Sequence, residues 1–485
     1  MRCLVLIHAF FIASLIYAQT NSKLPPKSIY DAKANASSPS SESIIPEIKP
    51  EASVDELSSE NDNSSPEEVS DATASTSSVS SEEVIDGIIE ESPERVAKLQ
   101  EQLKGQVELL EELVSVSSDT KLEIEGVNKV QSIIERELKK LKFKVELIDN
   151  PDPFTKSGKL LVGTFAGKNT EQYITLLSHA DTVFPATTGF KKFEKISDSE
   201  AKGPGVIDDK GGVVVGLEAL RLFLLANPNP EYSVRFIVSP SEEIGSTGFL
   251  NLFAQYSLSS VAVFGLEPAL DKGDIVDSRR GDRWYEVTVK GREAHAGRQH
   301  RVGVNACHEL AIKIEKLQKL TNYRRDVTIS VGAIQGGKDK YAIVCGEASM
   351  KLDVRFSGPK NRKRILKLVE GILNTQYVKA ASDGARATTE WKIVDDPMPF
   401  NADPASKNLI EIYKKVILDV EGRKISAARS GGTSDINFFY RPGVVLIDGL
   451  GAIGSGMHTH EEKIQLRSLQ TRAIALSKLI QAAGL

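Results

Sequence analysis

Short apolar runs of strand length alternate with helical patterns along most of this 485-residue chain. Tyr173–Ser178 and Val261–Gly265 are apolar runs of strand length, whereas Gly211–Leu225 is long enough for a buried helix. Strands that alternate with helices in this way are typical of a doubly wound α/β layer. We therefore predict an α/β fold whose doubly wound layer begins behind two amphipathic helices, Arg95–Val116 and Lys121–Leu141.

The pattern changes between residues 282 and 395. Strand-like runs and helical patterns follow one another there in the order β, α, β, β, α, β, beginning with Trp284–Lys290 and ending with Thr388–Ile393. This order is that of the split ferredoxin-like motif. We therefore predict a small inserted α+β domain, which divides the α/β domain into residues 95–281 and 396–485.

Side chains that can bind metal ions follow the apolar runs at five places. In open α/β sheets, functional residues lie at the carboxyl ends of the strands. Imidazole together with carboxylate oxygen is the ligand mixture that suits zinc. These side chains, drawn from distant parts of the chain, can build a two-metal site. The residues concerned are His179, Asp208, Glu242, Glu243, Glu267 and His458.

The first 18 residues have the pattern of a signal peptide. Arg2 precedes an apolar run from Leu4 to Tyr17, which is shorter than the roughly 20 residues that cross a bilayer. We therefore expect cleavage after Ala18 and secretion to the periplasm or the extracellular space, with no membrane association afterwards.

Residues 19–94 form an acidic segment that differs from the rest of the chain. From residue 20 onward it contains 17 acidic and 4 basic residues, whereas the net charge of the whole chain is only −5. Such a segment cannot bury enough apolar surface to offset the entropy of ordering it, so we predict disorder. A spacer or propeptide is the first interpretation, and an acidic docking segment is the alternative.

The chain has three cysteines, of which Cys3 leaves with the signal peptide. We expect Cys307 and Cys345 to be buried thiols of the inserted domain. A disulfide between them is the alternative, because pairing cannot be read from a sequence. Neither cysteine has neighbours at the spacing of a metal site, so we assign them no chemistry.

From Leu109 onward the chain resembles the di-zinc exopeptidase family of glutamate carboxypeptidases, aminoacylases and succinyl-diaminopimelate desuccinylase. The resemblance implies a metallopeptidase with two Zn²⁺ ions per subunit, for which Co²⁺ or Mn²⁺ are the alternative metals. It also implies that the inserted domain is a lid and dimerisation domain, and that the divided α/β domain is catalytic. The segments that carry the resemblance are His179–Pro185, Gly203–Gly205, Asp208–Gly212, Glu242–Ser246, Gly291–Gly297, Gly431–Asp435 and His458–Glu462.

The resemblance further implies which residues hold the two metal ions. Asp208 would bridge them, because two neighbouring cations need a shared anionic ligand to offset their repulsion. His179 and Glu267 would complete one ion's ligands, and Glu243 and His458 would complete those of the other.

Three more residues complete the implied catalytic site. Asp181 would accept the free ring N–H of the first histidine ligand and so orient it. Glu242 would be the general base and later the proton donor. His295 would reach into the other subunit of a homodimer and stabilise the developing oxyanion. By contrast, we expect Asp209 to be a solvated or helix N-terminal charge and His460 to be a surface or supporting residue.

Substrate binding is implied at Arg355, which would pair with a substrate carboxylate, and at Gly432 and Thr433, which offer donors to the same group. The chain departs from the family at two places. Ala342–Cys345 lacks an asparagine that relatives carry near the scissile group, and Asp396–Phe400 lacks an arginine found in some glutamate carboxypeptidases. The released residue therefore need not be glutamate.

We therefore predict a secreted, carboxypeptidase-like zinc amidohydrolase that cuts an amide bond next to a free carboxylate in small peptides or N-acyl amino acids. An aminopeptidase or an N-acyl-amino-acid deacylase of the same fold is the first alternative. A catalytically silent binding protein, docking through the acidic segment, is the second. No feature of the sequence predicts a nucleic-acid partner.

Overall fold

The computed structural model describes residues 93–484. The predicted signal peptide and nearly all of the acidic segment lie outside these residues. Among the helices described, none combines the length and hydrophobicity of a membrane span. The helices are α1 (Pro93–Val114), α2 (Ile124–Lys140), α3 (Lys210–Ala226), α4 (Leu250–Ser259), α5 (Ala306–Gln318), α6 (Gly358–Asn374), α7 (Pro404–Glu421) and α8 (Arg467–Ala483).

The strands belong to four sheets. They are β1 (Lys144–Ile148), β2 (Leu160–Phe165), β3 (Asn169–His179), β4 (Glu194–Lys195), β5 (Glu200–Lys202), β6 (Tyr232–Ser239), β7 (Ser260–Gly265), β8 (Ile275–Arg279), β9 (Gly281–Lys290), β10 (Val327–Gly336), β11 (Glu347–Phe356), β12 (Thr388–Asp395), β13 (Phe400–Asn401), β14 (Ala427–Ser430), β15 (Val445–Ile447), β16 (Gly454–Ser455) and β17 (Lys463–Gln465).

The largest sheet has six strands in the order β1-β2-β6-β3-β7-β15, and its four strands from β6 to β15 are parallel. Successive side chains of a strand point to opposite faces of the sheet. Leu176 accordingly packs with α1, α2, α3, α7 and α8 on one face, whereas Leu177 packs with α4 on the other. Helices therefore cover both faces, and the predicted doubly wound α/β architecture is confirmed.

The lid has its own sheet and its own core. Its four antiparallel strands have the order β10-β11-β9-β12, and α5 and α6 pack against them. Because the chain order is β9, α5, β10, β11, α6, β12, the predicted ferredoxin-like topology is confirmed.

Local polar contacts set several helix ends. Asp403 caps α7 by accepting the N–H of Ser406 at 2.8 Å, and Pro404 occupies the first turn. α2 begins at Ile124, three residues later than predicted, because Asp119 Oδ1 accepts the N–H groups of Lys121 and Leu122 in a preceding turn.

Two small sheets were not predicted from the sequence. β8 pairs with β13 and β14, and β16, β17, β5 and β4 form the other sheet. Their strands are two to five residues long and several carry mostly charged side chains, as in Glu200–Lys202. Short strands without an apolar run give no periodic signal. The second of these sheets is important because it carries the loop that contains His458.

The prediction of buried thiols is wrong. Cys307 at the start of α5 and Cys345 just before β11 form a disulfide, and both residues are only partly buried. The alternative of a disulfide is therefore the correct one. Sequence reasoning could not decide between them, because 38 residues separate the two cysteines and only the ferredoxin-like topology brings them together.

Two short crossings join the lid to the α/β domain, and an ion-pair cluster holds them together. Arg283 donates to both carboxylate oxygens of Asp396, with its Nε 2.9 Å from Oδ1. Arg362 of α6 donates to the same carboxylate. The neighbouring Asp395 is buried, and burial, aided by the Asp282 carboxylate, raises its pKa to about 7.

We predict that Asp395 makes the stability of the fold depend on pH. Its ordinary pKa is 3.8, so between pH 4 and pH 7 the folded protein retains a proton that the unfolded chain has lost. Rising pH over this range therefore destabilises the wild type, while an Asp395→Asn variant lacks this contribution. We expect the variant to gain Tm relative to the wild type at pH 8 and to lose that advantage at pH 4.

The control is Glu390→Gln, which changes an exposed carboxylate on the same strand. Its Tm should track that of the wild type at both pH values. A Tm difference for Asp395→Asn that is the same at pH 4 and pH 8 would contradict the assignment.

Candidate metal centre

Three neighbouring parallel strands deliver the first residues of the site. His179 is the last residue of β3, the 3-10 turn Glu242–Ile244 follows β6, and Glu267 follows β7. β3 pairs with both β6 and β7. The carboxyl ends of the three strands therefore lie side by side, and the structure brings these predicted residues together.

Asp208 lies at the centre of the site, in the loop before α3. Its Oδ1 is 3.1 Å from Nε2 of His179, and its Oδ2 is 3.1 Å from Nε2 of His458. Nε2 of His458 is also 3.2 Å from Oε2 of Glu243.

The predicted ligands form two overlapping triads that share Asp208. In each triad, one ligand atom from each residue lies within 4.8 Å of the others. The shared carboxylate is the arrangement expected for a pair of adjacent cations. The triads are His179, Asp208 and Glu267, and Asp208, Glu243 and His458.

Asp181 contacts both sides of the site, whereas the sequence analysis gave it only the ring of His179. Its backbone carbonyl oxygen lies 3.1 Å from Nδ1 of His179 and its Oδ1 lies 3.3 Å from the same nitrogen, so the other ring nitrogen faces the centre. Its carboxylate also accepts the backbone N–H groups of Glu242 at 3.1 Å and Glu243 at 3.2 Å, and the hydroxyl of Thr120 at 2.6 Å. One fully buried carboxylate therefore fixes an imidazole and the turn that carries two acids.

The acids of the centre are crowded. Burial, aided by the Asp208 charge, raises the pKa of Glu267 to about 8. Burial, aided by the Glu267 charge, raises the pKa of Glu242 well above its ordinary range. Burial would also raise the pKa of Asp208, but hydrogen bonds from the two histidines lower it overall. Oε1 of Glu243 is buried without a protein partner. Bound cations would offset this concentration of negative charge, so the residues fit a metal pair.

Glu462 is a supporting residue that the sequence analysis did not assign. Its buried carboxylate accepts the backbone N–H groups of Gly205 at 3.0 Å, Ile207 at 3.0 Å and Asp208 at 3.2 Å. It therefore holds the loop that presents the shared ligand. The motif His458–Glu462 contains two adjacent glutamates, and nothing in the sequence distinguishes the supporting one from its exposed neighbour.

Asp209 is buried, so the prediction of a solvated charge is wrong. The alternative, a position at a helix N-terminus, is correct, because Asp209 is the N-cap residue of α3. Its Oδ2 accepts the hydroxyl of Ser178 at 2.5 Å, and burial raises its pKa well above the ordinary range. The next residue, Lys210, is also buried and donates to the carbonyl of Val116. Protein atoms, and not solvent, therefore surround Asp209 and Lys210.

His460 is exposed, as predicted, and it packs beside aromatic rings. Its ring centroid lies 5.4 Å from that of Phe190 and 6.1 Å from that of Phe184. It does not belong to either triad.

His295 lies in an exposed loop of the lid. Its Nδ1 accepts the backbone N–H groups of Gly297 at 3.1 Å and Arg298 at 3.2 Å. Because Nδ1 is an acceptor, Nε2 is the nitrogen that carries the proton in the neutral ring. Among the described residues, the polar contacts of the ring are confined to this loop, so within one subunit His295 stands apart from the triads.

The predicted carboxylate-binding residues meet where the lid faces the α/β domain. Arg355 of β11 donates to the carbonyl of Gly431 at 3.3 Å and to Asp353 at 2.9 Å. The Thr433 hydroxyl donates to Asp282 at 3.1 Å, and Gly432 lies between Gly431 and Thr433 in the chain. This loop continues to Ser434 and Asp435, which line a small cavity together with Glu242 and Glu267.

Two further arginines near this loop were not singled out from the sequence. Arg280 and Arg429 both form ion pairs with Asp326. Burial, together with the charges of Arg355 and Arg429, lowers the pKa of Arg280. Three arginines therefore lie close together at this face, where they pair with Asp326 and Asp353.

We predict that Glu462→Gln weakens metal binding about 10- to 100-fold, the usual cost of losing an outer-shell partner. In this variant, the side-chain amide nitrogen would face a backbone N–H group from which the Glu462 carboxylate now accepts a hydrogen bond. Because two donors cannot bond to each other, the loop that carries Asp208 would shift. Glu461→Gln is the control, because the Glu461 side chain is exposed and, within residues 93–484, its ion pair is with Lys202. Metal affinity is measured by competition with a chromophoric chelator. Equal affinities for the two variants would contradict the role of Glu462.

Comparison with known proteins places the chain among hydrolases. A family model described as peptidase family M20/M25/M40 matches residues 175–482. Carboxypeptidase G2 from Pseudomonas sp. (strain RS-16) is 25% identical over 382 residues, which cover 78% of this chain and 89% of the relative. Succinyl-diaminopimelate desuccinylase from Magnetococcus marinus is 25% identical over 294 residues, which cover 58% of this chain and 74% of the relative.

A solved structure shares the fold. It is the YXEP protein of Bacillus subtilis, a dinuclear metal-binding peptidase of the M20 family. The two chains superpose with a TM-score of 0.54 and 16% identity, over 80% of this chain and the whole of the other. With the family model matching well over half of the chain, this protein belongs to peptidase family M20/M25/M40, a family of hydrolytic peptidases and amidohydrolases.

Proposed function

We propose that this protein is a zinc-dependent, carboxypeptidase-like amidohydrolase that cleaves the amide bond next to a free carboxylate in small peptides or N-acyl amino acids. The observation that carries the proposal is the pair of triads sharing Asp208, with a further acid, Glu242, beside them. The arginine-lined loop on the lid side of this centre supplies the preference for a carboxylate.

Zinc is the metal we propose, because each triad combines imidazole with carboxylate oxygen. His179, Asp208 and Glu267 would hold one ion, and Asp208, Glu243 and His458 the other. When bound, the ions would activate a water molecule and polarise the carbonyl of the scissile amide.

Glu242 is the residue that we propose moves the proton. Its neighbour Glu243 turns toward His458, whereas Glu242 lines the cavity that it shares with Glu267 and Asp435. From this position Glu242 can take a proton from the attacking water and return it to the departing amine. A general base has no purpose in a silent binding protein, so retention of this acid supports catalysis.

His295 is proposed to act in the active site of a partner copy. Its ring is exposed and oriented by two backbone N–H groups, so its Nε2–H is free to donate. Within one subunit it makes no contact with either triad in the described residues. A homodimer in which each lid lends this donor to the other subunit would complete both sites.

The substrate carboxylate is proposed to bind Arg355 together with the backbone of Gly432 and the hydroxyl of Thr433. Gly431 and Gly432 both lack heavy atoms close to where a side chain would begin, so the loop has room for a ligand. Arg280 and Arg429 add positive charge around the same place. An aminopeptidase, which needs no such cluster, is less well supported, while an N-acyl-amino-acid deacylase would use it equally well.

Export from the cytosol is also part of the proposal. The N-terminal sequence has the pattern of a signal peptide. The Cys307–Cys345 disulfide suits an oxidising compartment, because such bonds are rare in cytosolic proteins.

We predict that Glu242→Gln lowers kcat by about 10²- to 10⁴-fold while the metal content stays that of the wild type. Glu243→Gln is the matched comparison, since it removes one ligand and should lower the metal content itself. Metal per chain is measured by elemental analysis and kcat with an N-acetyl amino acid. A Glu242→Gln variant that hydrolyses at the wild-type rate would remove the proposed base.

We also predict that Arg355→Lys raises KM about ten-fold or more for an N-acetyl amino acid, because lysine cannot form the bidentate pair with a carboxylate. KM for the corresponding C-terminal amide should hardly change. Arg386→Lys, at an exposed arginine of the lid, is the control.

The same assay separates the alternatives. If the wild type cleaves only peptides with a free amine and is indifferent to the C-terminal carboxylate, the carboxypeptidase assignment fails in favour of an aminopeptidase.

A further inference from the structure

The Cys307–Cys345 disulfide lies beside the loop of His295, and neither the fold nor the proposed chemistry explains it. It joins the first turn of α5 to the segment of residues 342–346 that precedes β11. We call this segment the 342–346 strap. The lid already has a continuous apolar core, so the covalent bond is not needed to hold α5 on its sheet.

The 342–346 strap is the element on which the His295 loop rests. Ala296 donates its N–H to the carbonyl of Ala342 at 2.9 Å, and Val344 donates to the carbonyl of Ala294 at 2.9 Å. His295 and Ile343 therefore face each other as an antiparallel β-bridge. Any movement of the strap moves the backbone on both sides of the histidine.

Backbone hydrogen bonds attach the strap to the rest of the lid. Gly291, directly after β9, donates its N–H to the carbonyl of Gly346 at 2.7 Å. Ala306, the first residue of α5, donates its N–H to the carbonyl of Cys345 at 2.9 Å, and the buried Val344 packs against Gly303. Before the strap, residues 337–341 are exposed, and the Tyr341 side chain is fully exposed. The disulfide is therefore the covalent tie between a strap that follows an exposed turn and the start of a helix.

The aim of the His295 ring depends on this backbone. Nδ1 accepts from Gly297 and Arg298, so both the tautomer and the direction of Nε2–H are set by residues immediately after the bridge. A donor works only at hydrogen-bond distance from the developing charge. A displacement of about 1 Å can cost on the order of 10²-fold in rate.

We propose that the Cys307–Cys345 disulfide is a positioning element for catalysis, which holds the 342–346 strap so that the Nε2–H of His295 is correctly aimed. The inference rests on the proposed function, in that His295 is the oxyanion donor. It adds that turnover depends on the oxidised state of two cysteines that have no assigned part in the chemical step.

The test is a double-mutant cycle with the full chain loaded with zinc. We expect Cys307→Ser/Cys345→Ser to lower kcat about ten-fold, with KM and metal content close to those of the wild type. Added to a His295→Ala background, the same two substitutions should lower kcat by less than about two-fold, because the residue they position is gone. Equal losses in both backgrounds, or no loss in the wild-type background, would overturn the proposal.

A matched control separates positioning from general loss of stability. Val369→Ala on α6 removes methyl groups from the same lid core without touching the strap. It should lower Tm at least as much as the cysteine pair while leaving kcat near the wild-type value. If Val369→Ala lowers kcat as much as the cysteine substitutions do, the disulfide acts only through stability and the proposal is wrong.

A measurement that does not depend on activity separates the positioning role of the disulfide from the proposed function. Nitrogen NMR of the His295 ring reports which nitrogen carries the proton. We expect a single Nε2–H tautomer in the oxidised protein and a mixture in Cys307→Ser/Cys345→Ser. If the wild type hydrolyses no substrate but the two cysteine substitutions still change the His295 tautomer, the proposed function is wrong, while the inference that the disulfide positions His295 stands. If the tautomer is unaffected, the positioning fails whatever the activity.

Discussion

Asp208 holds an imidazole at each of its two carboxylate oxygens, and the arrangement of the site depends on this contact. One imidazole belongs to His179, the last residue of β3, and the other belongs to His458, which follows the lid in the chain. A single carboxylate therefore joins the two separated parts of the α/β domain. Its position is fixed by the buried Glu462 carboxylate, which accepts three backbone N–H groups of the loop, so the backbone that presents Asp208 is held in place.

The fold was predictable where the sequence is periodic. Apart from the partly exposed edge strand β1, the strands of the large sheet are mostly buried and apolar, and the helices that cover them repeat apolar residues at helical spacing. Both were therefore predicted within a few residues of their ends. The strands that escaped prediction are two to five residues long, and most of their pairing partners are distant in the chain. β5, for example, is a strand only because β4 and β17 flank it.

The candidate site shows a similar division. Residues that end or directly follow a strand, such as His179 and Glu267, could be predicted because the apolar run and the polar residue are adjacent in sequence. Residues that act through contact with distant backbone could not. Glu461 and Glu462 are neighbours of the same type, yet one is exposed and the other is buried against the loop of Asp208, and only the tertiary structure separates them. Asp209 looked like a surface charge because burial of an acid leaves no trace in the pattern.

The division of the α/β domain by the lid has a consequence for how the protein matures. His179, Asp208, Glu243 and Glu267 precede the entire lid in the chain, whereas His458 follows it. A nascent chain emerging from the ribosome therefore cannot complete both triads until the whole lid has been synthesised. Until then, the triad of Asp208, Glu243 and His458 lacks its imidazole, so a partly made copy holds an incomplete site.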